Sequence, residues 1–236
     1  MPQEIIPIRL SMVNCYLIKN DDDYLMVDTG MSLQRGTVKK ALNQADCRPD
    51  NLRLIVITHG DSDHAGNARY IKENYNSRIG LHREELPTVE KGDMRLNRKT
   101  LQENPSFLTG VVLSLPFTRL GKANRFKPDI FLEDGQDLTE YGCDGNIVHI
   151  PGHSSGSIGV LTADGALFCG DLLRNNGKPG RNSLVDNAEE MTASIERIRG
   201  LGVSIVYPGH GKPFPMEALG EKGYAGIIFI VLIDIP

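Results

Sequence analysis

The chain has 236 residues, of which 40% are hydrophobic and 24% are charged, and its formal net charge is −4. A slightly acidic chain disfavours a general nucleic-acid-binding protein, which is usually basic, so no nucleic-acid partner is expected. The first ten residues have neither a basic start nor a long apolar core, so the sequence predicts no signal peptide.

The cysteines and the apolar runs indicate a compartment. The four cysteines are far apart and form no CxxC pair, which is typical of reduced thiols in a cytoplasmic protein. No apolar run reaches the roughly 20 residues that a membrane helix needs. We therefore expect a cytoplasmic protein without a membrane partner.

The first third of the chain alternates predicted strands and helices. Short apolar runs separated by turn residues predict strands at residues 4–10, 14–19, 23–30, 52–59 and 78–82. Helical spacing of apolar residues predicts helices over 32–45, with Ser32 as N-cap, and over 63–75.

Residues 83–128 do not continue this alternation of strands and helices. The segment contains helix-like pieces, several prolines and glycines, and nine Lys or Arg against five Asp or Glu. This local excess of positive charge favours an anionic small-molecule substrate, although a solvated surface of mixed charge explains it equally well.

The last part of the chain returns to alternating elements. Strands are predicted at residues 146–153, 157–163, 166–171 and 203–211, and an amphipathic helix over 186–200 is closed by Gly200 as C-cap. Alternation of strands and helices in two halves indicates an α/β protein with sheets in the middle and helices outside.

Histidines and aspartates recur where predicted strands end. They are His59, Asp61, Asp63 and His64 in "HGDSDH", His153 in "PGHSSGS", Asp171 in "CGD" and His210 in "PGHG". Imidazole and carboxylate bind Zn, Fe and Mn, and seven such groups are about what two ions need. Any one of them alone is more often a surface residue or a helix cap than a metal ligand, but together they indicate a metal site.

This ordered set resembles the metallo-β-lactamase superfamily, whose signature is HxHxDH followed by His, Asp and His. The resemblance covers nearly the whole chain and includes "DTG" at 28–30 and the "PGHGKP" wording. It implies a single domain over residues 1–236, folded as a four-layer αββα sandwich with metals in a cleft at one edge of two sheets. It also implies that the segment at about 83–128 is a substrate-covering insertion.

The resemblance assigns a role to each ligand. The first ion would be held by His59, position 61 and His153, and the second by Asp63, His64 and His210, with Asp171 bridging the two. Asp63 would also orient the attacking hydroxide and shuttle a proton, and Asp28 would lie beneath the site and orient the ligand loop. Two divalent ions are expected, with zinc favoured and Fe or Mn as alternatives.

Two positions depart from the family pattern. Asp61 replaces the second histidine, which gives HxDxDH, so either Asp61 is a ligand or the first site is impaired. As a ligand it would lower the charge of the cluster and favour harder ions such as Fe or Mn. Arg174 follows Asp171 by three residues, where lactone-opening relatives have a tyrosine, and it can bind an anionic group or be a surface arginine.

The predicted function is a dinuclear metal hydrolase in which a bridging hydroxide cleaves an ester, thioester, lactone or phosphoester. A diiron redox protein, suggested by Asp61, and a metal-binding protein with a degenerate site are the alternatives. Glutathione-thioester hydrolases of the family add a helical C-terminal domain, which is not found in this sequence.

The end of the chain, residues 224–236, is almost continuously apolar. Exposed, it would form a patch that soluble monomers rarely tolerate. It is therefore expected to be buried in its own domain, paired in a subunit interface, or disordered and prone to aggregation, and a homodimer contact is favoured. A reading-frame change near the end of the gene is a fourth possibility, because the predicted metal ligands are complete at His210.

Overall fold

A computed structural model describes residues 3–98 and 119–220, which form two six-stranded sheets with helices outside them. The first sheet follows chain order and contains β1 (Glu4–Arg9), β2 (Asn14–Asn20), β3 (Asp23–Val27), β4 (Leu52–Val56), β5 (Arg78–Leu81) and β6 (Ile130–Phe131). The second contains β7 (Gly145–His149), β8 (Ile158–Thr162), β9 (Ala166–Asn175), β10 (Pro179–Arg181), β11 (Ile205–Gly211) and β12 (Phe214–Pro215). Its order is β12-β11-β9-β8-β7, with β10 paired to β9.

The α-helices of the described residues are α1 (Arg35–Gln44), α2 (Ser62–Ala65), α3 (Ala68–Tyr75), α4 (Leu86–Lys91) and α5 (Ala188–Arg199). Strands β1 to β3 are antiparallel, whereas β3 to β6 run parallel to one another. Strands β9 and β11 are also parallel. All the predicted ligands except His153 lie on or after three of these strands, β4, β9 and β11.

Three hydrophobic clusters define four layers. In β2, Cys15 and Leu17 pack in one cluster with α1 and α3, whereas Tyr16 and Ile18 pack against the second sheet. This alternation follows from the two-residue period of a strand. On the far side of the second sheet, α5 packs in a third cluster that includes Leu167 of β9. The predicted αββα sandwich is therefore confirmed.

The first predicted helices differ from the structure in detail. Ser32 opens a short 3₁₀ turn, Ser32–Gln34, and caps no helix with its side chain, so its prediction as the N-cap was wrong. The helix predicted over 63–75 is broken into α2 and α3. The break occurs where the chain is in tight contact with a loop, because a Cβ at Gly66 would lie 2.6 Å from the Gly30 carbonyl oxygen.

Helix α5 agrees closely with the sequence prediction. It ends at Gly200 as predicted, and its N-cap is Asn187, whose side chain accepts hydrogen bonds from the backbone N–H groups of Glu189 and Glu190. Such a cap satisfies donors that a helix N-terminus leaves free.

The other sequence predictions concern thiols, membranes and the end of the chain. The four cysteines are buried and form no disulfides. Among residues 3–98 and 119–220, no helix combines the length and apolar character needed to cross a bilayer. Residues 99–118 of the predicted insertion and the tail at 224–236 lie outside the described residues, so the homodimer contact stays a prediction.

Candidate metal centre

The predicted ligands converge at one edge of the two sheets. The loop after β4 and the short helix α2 carry His59, Asp61, Asp63 and His64, the loop after β7 carries His153, β9 carries Asp171, and β11 carries His210. Their ligand atoms form three overlapping groups, in each of which all atoms lie within 4.8 Å of one another: His59, Asp61 and His153; His59, His64 and Asp171; and Asp63, His64 and His210. Positions spread over more than 150 residues of sequence are therefore brought to one place.

Each of the four histidines is oriented by a hydrogen bond at Nδ1. The acceptors are the Asp28 carboxylate for His64 at 2.8 Å, the Leu184 carbonyl for His153 at 2.7 Å and the Met12 carbonyl for His210 at 2.6 Å. The Thr58 hydroxyl gives its single proton to Asp28, so at 3.0 Å it accepts from His59 Nδ1. In the neutral ring, each Nε2 lone pair therefore faces the cluster, as metal-ligating histidines require.

Four side chains form one outer group, which we call the open site: Asp63, His64, Asp171 and His210. His64 Nε2 lies 3.7 Å from Asp63 Oδ2 and 3.4 Å from Asp171 Oδ1, and His210 Nε2 lies 3.5 and 3.3 Å from the same two oxygens. Ligands at about 2.0–2.2 Å in a tetrahedron lie about 3.3–3.6 Å apart, so these spacings fit a metal ion.

Two observations support an ion at the open site. Among the described residues, the buried His64 Nε2 and Asp171 Oδ1 have no hydrogen-bond partner, and buried polar atoms are rarely left so. Gly209 leaves space for the group, because a Cβ there would lie 2.7 Å from both Asp171 Oδ1 and His64 Cε1. The open site also reaches solvent, since the Asp63 and His210 side chains are 29% and 20% exposed.

The remaining ligands form an inner group, which we call the closed site: His59, Asp61 and His153. Asp61 Oδ2 lies 3.5 Å from His59 Nε2 and 3.3 Å from His153 Nε2, and all three residues are buried. By spacing alone this group could also hold an ion.

The closed site contains a fourth side chain that the sequence did not predict. Arg98 is completely buried, and its Nη1 and Nη2 donate to the two carboxylate oxygens of Asp61 at 2.9 and 2.6 Å. Because His153 Nδ1 is committed to Leu184, its Nε2 accepts from Arg98 Nη2 at 2.9 Å. The guanidinium thus lies between two of the three predicted ligands.

Glu85 ties Arg98 to the ligand loops. This buried carboxylate accepts hydrogen bonds from the backbone N–H groups of Gly60 at 2.7 Å and Gly156 at 3.1 Å, and from the Ser154 hydroxyl at 2.7 Å. It also accepts from the side-chain amide of Asn97. Asn97 precedes Arg98, so one carboxylate holds the arginine segment against the loops of His59 and His153.

The electrostatics of the two sites differ. At the closed site, burial opposes ionisation of Asp61, but the Arg98 guanidinium and then the His59 ring hold its pKa well below the ordinary value. At the open site, the Asp171 carboxylate is the largest influence on His210 and raises its pKa to about 9. Burial opposes the charge of His64, yet Asp28 and Asp63 raise its pKa well above the ordinary value.

Two of these residues escaped sequence reasoning because they lie in the segment that has no regular rhythm. Glu85 stands in the charged string "HREE", which is typical of a solvated surface, and Arg98 is one of nine cations between residues 83 and 128. Asp61 offered the only signal, since a buried carboxylate in place of an imidazole needs a cation nearby.

Arg174 lies beside the open site rather than in it. It is on β9, in register with His210 of β11, and its Nη1 donates to the Ser183 hydroxyl at 3.2 Å. Its predicted contact with substrate stays a prediction.

Comparison with known proteins identifies relatives that match most of the chain. The model of the metallo-beta-lactamase superfamily matches residues 8–210. The chain is 28% identical over 215 residues to hydroxyacylglutathione hydrolase GloC of Haemophilus influenzae, covering 88% of this chain and 90% of that one. It is 26% identical over 231 residues to acyl-coenzyme A thioesterase MBLAC2 of Bos taurus, covering 87% and 75%.

A solved structure shows the same fold. TTHA1623, crystallised in a di-iron-bound form, superimposes with a TM-score of 0.67 at 23% identity and covers 92% of this chain and 96% of that one.

The match to GloC bears on the helical C-terminal domain that glutathione-thioester hydrolases of the family were expected to add. Because GloC is matched over 90% of its length, that domain does not separate this chain from hydrolases of glutathione thioesters.

Proposed function

Because the chain belongs to the metallo-beta-lactamase superfamily and is a metal-dependent hydrolase, we propose that its substrate is a small anionic thioester. The open site carries this proposal. Its two Nε2 lone pairs and two carboxylates converge at metal-ligand spacing on a face that reaches solvent. Zinc is the metal we propose, because imidazole and carboxylate are among its usual ligands and it can accept a water as a further ligand beside them.

A divalent ion held there supplies a nucleophile at neutral pH and polarises the carbonyl under attack. The protein supplies orientation. Asp28 and the Met12 carbonyl fix the rings of His64 and His210, so their lone pairs need no reorganisation. Asp63 is the most exposed of the four ligands, and its carboxylate can orient the attacking water and accept a proton from it.

The relatives narrow the predicted bond type. The two named activities, hydroxyacylglutathione hydrolase and acyl-coenzyme A thioesterase, both cleave a thioester. In both substrates the thiol portion, glutathione or coenzyme A, is negatively charged. The basic segment supports an anionic substrate less than its composition suggests. Of its cations, Arg98 pairs with Asp61, Arg95 with Asp93 and Lys127 with Glu90.

The two alternatives, a diiron redox protein and a metal-binding protein with a degenerate site, have less support. The diiron redox alternative depends on Asp61 as a metal ligand, and Asp61 is engaged by Arg98 through both oxygens. A degenerate site would bind metal without turnover. The prediction of two ions depends on the closed site.

The test is a substrate panel on zinc-loaded protein. Thiol release from acyl-glutathione and acyl-coenzyme A is compared with hydrolysis of oxygen esters, lactones and phosphoesters. We expect turnover of thioesters, and loss of both zinc and turnover in His210→Ala. His82→Ala is the matched control, because His82 stacks on His149 and belongs to none of the three ligand groups, so this variant should keep both properties. Preferential cleavage of phosphoesters, or no turnover by the zinc-loaded protein, would overturn the proposal.

A further inference from the structure

We propose that the guanidinium of Arg98 takes the place of one metal ion, so that this chain binds a single divalent ion, at the open site. The inference rests on the proposed function, because it assumes that the open site binds metal. It replaces the expected pair of ions by one ion and one fixed organic cation.

Lone pairs at the closed site are already used. His153 has one acceptor atom facing the site, and Arg98 Nη2 donates to it at 2.9 Å. Both oxygens of Asp61 receive guanidinium N–H groups. An ion at this place would have to take the same lone pair of His153 and lie beside a second cation. Among the described residues of the closed site, only His59 Nε2 is left without a hydrogen bond. Besides Asp61 and His153, the groups within ligand distance of His59 are His64 and Asp171, which belong to the open site. The closed site therefore keeps one neutral ligand of its own, which does not hold a divalent ion.

Arg98 is held in this position from several sides. Its Nη1 also donates to the Met94 carbonyl at 2.6 Å and to the Asn97 side-chain oxygen at 2.9 Å. The Asn97 amide is bonded to Glu85, and the backbone N–H of Ser155 donates to the Asn97 carbonyl at 3.2 Å. The guanidinium is thus attached to the same loops that would otherwise clasp an ion.

The substitution at position 61 then has a direct explanation. A guanidinium presents two parallel N–H groups, which a carboxylate accepts with both oxygens and an imidazole cannot. A buried arginine also needs a negative partner, which Asp61 provides. The aspartate is therefore the complement of Arg98.

The single-ion assignment changes what Asp171 does. Its Oδ1 lies 3.4 Å from His64 Nε2 and 3.3 Å from His210 Nε2, whereas Oδ2 faces the closed site at 3.8 Å from His153 Nε2. Asp171 would bind the ion with one oxygen and turn the other toward the fixed cation, without bridging two metals.

The experiment counts bound zinc by elemental analysis and native mass spectrometry after excess metal has been removed. Wild-type protein should hold one ion per chain. Alanine at His59 or His153 should leave this count unchanged, and alanine at His64 should abolish it. Arg98→Ala should raise the count toward two, because it frees Asp61 and His153.

A second variant guards against misfolding of Arg98→Ala, which leaves Asp61 buried without its cation. Asp61→His combined with Arg98→Ala removes both charges and creates three imidazoles at the closed site, so it too should bind two ions. Two ions in the wild type, or loss of the ion in His153→Ala but not in His64→Ala, would overturn the inference and leave the proposed function standing. No ion in the wild type would overturn both.

Discussion

Asp28 Oδ2 lies 2.8 Å from His64 Nδ1, and the other carboxylate oxygen accepts the backbone N–H of Thr58 at 2.9 Å. One side chain therefore orients His64 directly and His59 through the Thr58 hydroxyl. Asp28 adopts a left-handed backbone, with φ of 58°, which aspartate tolerates better than most residues. Such a conformation at a buried carboxylate indicates a position that the site requires.

Replacement of Asp28 by Asn should weaken zinc binding about 10- to 100-fold, as expected when the partner of a ligating histidine is lost. The amide keeps the volume but no longer attracts the Nδ1 proton as a carboxylate does. Competition with a chelator measures the change. Asp46→Asn is the matched control, because Asp46 has φ of 57° and its side chain is 88% exposed. Equal affinities in both variants would show that Asp28 does not orient the ligand.

Glu85 provides a test of the connection between Arg98 and the ligand loops. Glu85→Ala leaves the donors on Gly60, Ser154, Gly156 and Asn97 without their acceptor, and each unpaired buried donor costs about 1–3 kcal/mol. Since the loops can relax, we expect the free energy of unfolding to fall by about 3 kcal/mol. Denaturant unfolding measures this change. Glu133→Gln on the surface should change it by less than about 0.5 kcal/mol, and a similar small loss in Glu85→Ala would mean that the carboxylate does not hold the loops.

The fold and the open site could be predicted because their signals are local. Strands such as β4 are short apolar runs, and the candidate ligands follow at their ends, so His64 and His210 could be identified without knowledge of which strands are neighbours. The order of the ligands along the chain then specified the family.

The closed site could not be predicted in the same way. Arg98 reaches Asp61 from 37 residues away, and its position depends on the fold of a segment with no regular period. Its burial follows from tertiary contacts through Glu85 and Asn97, which no local pattern encodes. The sequence left two interpretations of Asp61 open, a metal ligand or the sign of an impaired first site, and it gave no indication that Arg98 lies beside it.

Zinc binding should strengthen as the pH rises. Asp171 is the main cause of the raised pKa of His210, about 9, so the metal-free ring is protonated at pH 7 and zinc must displace that proton. Affinity should increase about tenfold per pH unit for each displaced proton between pH 7 and 9, and less above it. Because the pKa of His210 is higher in the folded protein than its ordinary value of 6.5, protonation of this ring stabilises the metal-free fold. The contribution is complete below pH 6.5 and is lost as the pH rises through about 9. Chelator competition at three pH values measures the slope, and an affinity independent of pH would contradict it.

Arg174 gives the most direct test of substrate charge. It neighbours His210 across the β9–β11 pair and is partly exposed, and no carboxylate in the described part of the chain pairs with it. If it binds the anionic thiol portion, loss of a charge-assisted hydrogen bond of about 1–2 kcal/mol should raise KM for acyl-coenzyme A about 5- to 30-fold in Arg174→Ala. A neutral acyl thioester has no group for this contact, so its KM should stay nearly constant. Arg53→Ala, an exposed arginine on β4, is the control and should leave both KM values unchanged. Equal increases in KM for the charged and the neutral substrate would mean that Arg174 stabilises the sheet edge beside His210 and does not recognise the charge of the substrate.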